Sequence, residues 1–135
     1  MAKMELKSFI APEEVRRFEK GRVELVKVNG ALIGRAVFEP GWRWSTSVKP
    51  LAKTDSCEAP HFQYHISGTL RIRMDDGTEL DCKPGDVSYL PSGHDAWVVG
   101  NEPAVVVDFH GMWEYAKAPA TGTQASRPIK SATSR

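Results

Sequence analysis

Short stretches of alternating apolar and polar residues, separated by turn signals, make up most of the chain between positions 23 and 109. A period of two is typical of β-strands that bury one face. Asn29-Gly30 and Asp76-Gly77 each join two such stretches, and both dipeptides favour tight hairpins. Because turn signals recur about every 8 to 12 residues, the pattern predicts an all-β sandwich or barrel.

The segment before this pattern, residues 11–20, has different spacing. Pro12 suits the first turn of a helix, Gly21 can end it, and Val15 and Phe18 would form its buried side. We therefore predict a short N-terminal helix that covers a sheet edge.

The last twenty positions, 116–135, contain one large apolar residue, Ile129. Such a segment cannot bury enough surface to offset its ordering entropy, so we predict a tail that is flexible or packed on a partner subunit. The predicted layout is an N-terminal extension over residues 1–22, a β-domain over 23–115 and a tail over 116–135.

Length and charge narrow the function classes. The 135 residues fit one domain, and 18 basic against 17 acidic residues give a net charge of +1. We therefore expect no nucleic-acid partner. The sequence contains no apolar run of about 18 residues, the length that a membrane-spanning helix needs. The N-terminus lacks the apolar core of a signal peptide. We therefore expect a cytoplasmic protein without a membrane partner.

Two cysteines are too few for a disulfide scaffold. Cys82 alternates with Leu80 in a short strand, and we predict that it is a small buried side chain. Cys57 lies in the longest stretch without periodicity, residues 48–60, together with Asp55. Loops of this length are usually functional or disordered, and the clustered polar residues favour function.

The order of turn, strand, turn and histidine across residues 84–97 resembles the second motif of the cupin superfamily. The letters are P-G-D, V-S-Y-L, P-S-G and H-D-A-W. The stretch D-S-C-E-A-P-H at 55–61, followed by Gly68, keeps the spacing of the first cupin motif but changes its residue types. The letters G-W-R-W at 41–44 and G-H-D-A-W at 93–97 also resemble a small group of bacterial cupins.

This resemblance implies a single-domain cupin, that is, a double-stranded β-helix or jelly-roll antiparallel barrel with a metal inside. Its candidate ligands are Asp55, Cys57, His61 and one residue of the second motif. Counting from Pro91 favours His94 as that residue, whereas counting back from the Ala96-Trp97 pair favours Asp95. A thiolate ligand favours zinc or iron(II) over magnesium or calcium.

A second register of the first motif remains open. It places Ser47 and Lys49 at the two histidine positions of the family, which leaves His61 as the one metal ligand from that motif.

His61, Gln63 and His65 share one face of a regular strand, and in a cupin that face lines the interior. With Trp44 and Trp97 they would shape a cup for a small molecule. The alternative is that Trp44 is a core residue and that His65 is satisfied by a backbone carbonyl.

These patterns predict a small-molecule-binding cupin with a divalent metal, zinc or iron, and they leave open whether it is an enzyme. The alternative is a metal-free ligand-binding or sensor module. A third role, in subunit assembly or regulation, also remains. No G-x-S-x-G elbow or Gly-rich phosphate loop is present. The resemblance implies a homodimer, and exposed sheet edges also need a cover.

Overall fold

The computed structural model describes residues 3–113 and 115–116. In this part of the chain nine strands form two antiparallel sheets, and two single-turn helices lie between the third and fourth strands. The elements are β1 (Glu14–Phe18), β2 (Gly21–Val28), β3 (Ala31–Phe38), α1 (Trp44–Ser47), α2 (Lys49–Ala52), β4 (His61–Ser67), β5 (Thr69–Met74), β6 (Glu79–Cys82), β7 (Val87–Leu90), β8 (His94–Val99) and β9 (Ala104–Asp108).

The larger sheet has six strands in the order β1-β2-β3-β9-β4-β7, and the smaller has three in the order β6-β5-β8. Asn29 and Gly30 join β2 to β3 with φ angles of 49° and 79°. A two-residue hairpin of the type that matches strand twist needs positive φ at both central positions, so these residues fit the turn. The all-β jelly-roll expectation is confirmed.

The core lies between the two sheets. Val23, Leu25 and Val106 from the large sheet and Leu70 and Ile72 from the small sheet are at most 3% exposed. Val106, Leu70 and Ile72 alternate with more exposed neighbours, as the period of two requires, whereas β2 is buried on both faces from residue 23 to residue 26. Cys82 joins this core as predicted, whereas Leu80, two positions earlier on β6, is 50% exposed.

The predicted N-terminal helix is wrong. Residues 14–18 form β1, which pairs with β2 at the edge of the large sheet. Arg16 turns inward, and its guanidinium donates hydrogen bonds of 2.7 Å to the carbonyls of Met112 and Tyr115. Sheet pairing and this buried arginine outweigh the local helix signals, because tertiary contacts routinely override propensity.

The aperiodic segment between β3 and β4 is tied to the small sheet. Arg43 forms an isolated bridge with Trp97, and Cys57 forms another with His94. The Cys57 amide donates to the His94 carbonyl at 2.8 Å, and the Gly93 amide donates to the Cys57 carbonyl at 2.8 Å. These backbone bonds fix Cys57 beside the start of β8.

Among the described residues, no helix has the length and apolarity needed to cross a membrane. The predicted tail lies outside the described residues from position 117 onward.

Candidate metal centre

Two histidines that are distant in sequence meet between the sheets. His61 begins β4 in the large sheet, His94 begins β8 in the small sheet, and both side chains point inward. Their ring centroids lie 5.3 Å apart. Strand alternation therefore brings both imidazoles to the same end of the sandwich.

Cys57 completes a three-residue group with the two histidines. Its Sγ lies 3.5 Å from His61 Nε2, and one ligand atom from each of the three residues falls within 4.8 Å of the others. All three residues are only 3% exposed.

Both imidazoles are held through Nδ1. The His61 Nδ1–H donates to Asp108 Oδ2 at 2.5 Å, and the His94 Nδ1–H donates to the Pro91 carbonyl at 2.8 Å. Metal-binding histidines characteristically donate the second ring N–H to a carboxylate or carbonyl, which fixes the tautomer and the ring orientation. In this arrangement both Nε2 atoms are the ones available for binding.

The thiol and its neighbouring histidine form a charged pair. Burial by itself raises the pKa of Cys57, but hydrogen bonds from His61 and His94 outweigh it and lower that pKa from 9.0 to about 6. Burial lowers the pKa of His61, whereas the Asp108 carboxylate and then Cys57 raise it from 6.5 to about 10. At neutral pH without a metal, Cys57 is a thiolate and His61 an imidazolium.

The group fits a transition-metal ion. One thiolate and two imidazoles are suitable donors for zinc or iron, and three protein ligands leave a coordination position open, as in catalytic zinc sites. With metal–sulfur and metal–nitrogen bonds of roughly 2.3 and 2.0 Å, tetrahedral ligand atoms lie roughly 3.5 Å apart. The distance between Cys57 Sγ and His61 Nε2 is 3.5 Å.

Two buried polar atoms near the group have no partner among the described residues: Gln63 Oε1 and Trp42 Nε1. Both side chains line a cavity of about 20 Å³ between the sheets, together with His61 and His94. A space of this size holds about one water molecule. Buried polar groups usually have hydrogen-bond partners. The unpaired acceptor Gln63 Oε1 and the unpaired donor Trp42 Nε1 therefore suit a small polar ligand beside the three-residue group.

A much larger cavity, of about 690 Å³, lies on the other side of Cys57. Its wall is mainly apolar and aromatic and includes Trp44, Trp113 and Tyr115. The Tyr115 ring packs edge-on against His61 with centroids 5.2 Å apart and lines both cavities. A ligand in the larger cavity can therefore reach Cys57 without entering the core.

The structure separates two other predicted donors from this group. The Asp55 side chain is fully exposed and lies 3.8 Å from Lys49 Nζ. Asp95 alternates with the inward His94 and so faces outward, where it accepts hydrogen bonds from the Ser45 amide and from Arg43. Neither carboxylate therefore lies with the three-residue group, and the residue of the second motif that does is His94.

The structure also places the two residues of the alternative first-motif register, Ser47 and Lys49, away from this group. Ser47 is buried in α1, where its hydroxyl lies 3.5 Å from the Arg43 amide, and Lys49 lies near Asp55. Neither belongs to the three-residue group.

The predicted ligand-binding residues divide into two sets. Trp44 lines both cavities and Gln63 the small one. Trp97 lies on the outer side of β8, where its ring centroid is 4.1 Å from the guanidinium carbon of Arg43. His65 is buried, with Nε2 2.8 Å from Ser88 Oγ, and lines neither cavity. Trp97 and His65 therefore lie apart from Trp44 and Gln63, which line cavities.

Sequence reasoning missed Asp108 and Tyr115. Asp108 is completely buried at the end of β9, where it also accepts hydrogen bonds from Gln63 Nε2 and the His110 amide. The available signal was its spacing, since Asp108 shares an inward face with Ala104 and Val106. An acidic residue that alternation places among buried positions indicates that another buried residue pairs with its carboxylate. Tyr115 follows the last strand and had no periodic signal.

The fold and the position of the group together define a cupin-type jelly roll, and solved structures support this. A cupin-like protein from Thermotoga maritima superposes with a TM-score of 0.50 at 16% identity, covering 77% of this chain and 77% of its own. A protein of unknown function from Rhizobium leguminosarum gives 0.56 at 16%, covering 79% and 95%.

Oxalate decarboxylase from Bacillus subtilis gives a TM-score of 0.51 at 24% identity, covering 73% of this chain but 27% of its own. The chain therefore spans about a quarter of that enzyme. At these identities the likeness establishes the cupin fold. No protein-family model matches the sequence, and no curated protein matches it either.

Proposed function

We propose that this chain is a small-molecule-binding cupin that holds one divalent transition-metal ion on Cys57, His61 and His94. The observation that carries the proposal is the convergence of three buried ligand atoms within 4.8 Å, two of them on imidazoles oriented through Nδ1. Thiolate and imidazole donors favour zinc or iron(II).

A bound ion would supply Lewis-acid polarisation or, if it were iron, one-electron chemistry to a ligand at the open position. The surrounding residues have separate tasks. Asp108 holds the Nδ1 proton of His61, and Gln63 Oε1 can accept a hydrogen bond from a small ligand beside the ion. Burial raises the pKa of Tyr115 well above its usual value, so its phenol stays protonated at the wall shared by the two cavities.

The large cavity indicates the class of organic ligand. At about 690 Å³ it lies within the range of small-molecule sites, and its wall is mainly apolar and aromatic. The described residues that line it include Glu58 but no lysine or arginine. A neutral, largely apolar molecule with one polar end directed at Cys57 therefore fits better than an anion.

A metal-free ligand-binding or sensor module is the second candidate. The contacts from Cys57 to His61 to Asp108 form a connected chain, in which opposite charges satisfy one another without an ion. The same cavity would then bind a ligand through packing and hydrogen bonds alone.

Metal analysis of protein purified without chelator separates the two candidates. We expect about one ion per chain in the wild type and in Cys82→Ser, whose thiol is buried elsewhere in the core, and strong loss in Cys57→Ser and His61→Ala. Titration of the chelator-treated protein with Co²⁺ should give a thiolate charge-transfer band in the wild type and in Cys82→Ser.

Substoichiometric metal that is unchanged by His61→Ala would end the metal proposal. A thermal-shift screen in the presence of chelator then tests the second candidate, because a ligand that binds the folded state stabilises it by mass action.

A further inference from the structure

The strands that carry the candidate site present an unusual opposite face. His61 on β4 and Asp108 on β9 point inward. The residues that alternate with inward positions along each of these strands point outward. On β4, β7 and the end of β9 these outward side chains are large, apolar and 44–65% exposed: Phe62, Tyr64, Ile66, Val87, Tyr89 and Phe109.

These side chains form one continuous surface, here called the β4/β7 face. The strand register places Phe62 opposite Tyr89 and Tyr64 opposite Val87. The Phe62 and Tyr89 rings meet edge-to-face with centroids 6.5 Å apart. The Phe109 amide donates to the Phe62 carbonyl at 2.9 Å, which places the end of β9 beside β4.

The charged residues nearest to this face lie at its border. Val105 and Val107 continue the apolar surface across β9, and Arg35 on β3 stands opposite Val107. Arg35 is already paired, with Glu24 Oε1 2.7 Å from its Nη2. An apolar centre with a polar border is the usual anatomy of an interface core and its rim.

The area matches what a dimer needs. Large aromatic side chains carry roughly 150–250 Å² each, so six residues exposed by about half present roughly 600 Å² of apolar surface. That is at the upper limit of the largest patch on a typical monomer and, with its rim, approaches the roughly 800 Å² per partner of a standard interface.

The exposed edge of the large sheet also favours a second copy of this chain as the partner. β7 is the last strand of the large sheet and pairs only with β4 among the described strands. Exposed edges need a cover, and a second copy packed face to face on β4 and β7 would shield this edge as well.

We propose that the β4/β7 face is the interface of a homodimer, in which a second copy of this chain presents the same face across a two-fold axis. The other candidate within the chain is the stretch from 117 to 135, which has one large apolar residue, Ile129. That is too little to cover roughly 600 Å² of apolar surface. The six residues of this face are uncharged, so they offer no charge pattern that would select a protein other than a second copy of this chain.

Light scattering and sedimentation of the full chain test this proposal. We expect a wild-type dimer, and a monomer or at least 100-fold weaker association in the double variant Phe62→Glu, Tyr89→Glu. The matched control is Leu80→Glu, because Leu80 is also 50% exposed but lies on β6 of the other sheet. It should remain a dimer with the wild-type dissociation constant.

Circular dichroism and thermal melting establish that each variant is folded. If the double variant does not fold, hydrogen exchange of the wild type replaces it, and amides of β7 should gain protection above the dimer dissociation constant. A monomeric wild type at 100 µM or more would overturn the proposal, and so would a dimer that survives both glutamates. Equal loss of the dimer in Leu80→Glu would also refute it. The metal content of the folded variants reports separately on the proposed function.

Discussion

Replacement of Asp108 by asparagine tests the orientation of His61. In the native protein Asp108 accepts hydrogen bonds from the His61 ring, from Gln63 Nε2 and from backbone amides, including that of His110. Asparagine can keep one carbonyl oxygen on the backbone amides, but its NH₂ group then faces His61 Nδ1. Two donors cannot pair, so we expect His61 to lose its Nδ1 proton and to keep the proton on Nε2, the atom that the metal needs.

The magnitude follows from the electrostatics. Although burial lowers it, the pKa of His61 rises from 6.5 to about 10 through Asp108 and Cys57. At about 1.4 kcal/mol per unit, the net shift corresponds to roughly 5 kcal/mol in favour of the charged ring, after the opposing effect of burial. Removal of one member of a buried pair typically costs about 3–5 kcal/mol, and loss of a residue that orients a metal ligand lowers metal affinity about 10- to 100-fold.

Urea unfolding of the chelator-treated protein and a Co²⁺ titration measure the two effects. We expect Asp108→Asn to lose about 3 kcal/mol or more and at least tenfold in metal affinity. The control is Asp81→Asn, which removes a partly exposed pair with Arg71 and should change stability by less than about 1 kcal/mol. Wild-type metal affinity in Asp108→Asn, with a stability loss under about 1 kcal/mol, would refute this account of the site.

Two further results are expected. Because the pKa of Cys57 is about 6 and that of His61 about 10, the ion displaces one proton, from His61 Nε2, between pH 7 and 9. Metal affinity should therefore rise about tenfold per pH unit in that window, and calorimetry in two buffers should count about one proton released; zero protons would contradict the assignment. Separately, Gly111→Ala should destabilise the fold by several kcal/mol in chemical unfolding, because a Cβ there would clash with the Pro60 carbonyl oxygen. Gly77→Ala, which has a similar φ of 91° but open space around it, should cost only about 1 kcal/mol, and equal losses would rule out the steric cause.

The sequence was sufficient for features that depend on local chemistry. Asn29-Gly30 determines a hairpin because few residue pairs accept positive φ twice. Strand alternation likewise predicted that His61 and Gln63 share a face, and both are buried between the sheets.

Features that depend on distant partners were not predictable in this way. Arg16 is buried because carbonyls almost a hundred residues away accept its hydrogen bonds, so helix-like spacing around it was misleading. The choice between His94 and Asp95 was open because the motif counts conflicted. In the structure Arg43 and Ser45 hold Asp95 on the outer side, and His94 lies beside Cys57 and His61.

The contact between Arg16 and the carbonyls of Met112 and Tyr115 links the two ends of the described chain. Tyr115 also lines both cavities, so the N-terminal strand helps to hold their shared wall in place. Trimming the protein through Phe18 would therefore act on the shape of the cavities as well as on the sheet edge. Residues 14–18 are best kept intact when fusion tags or shortened versions are planned.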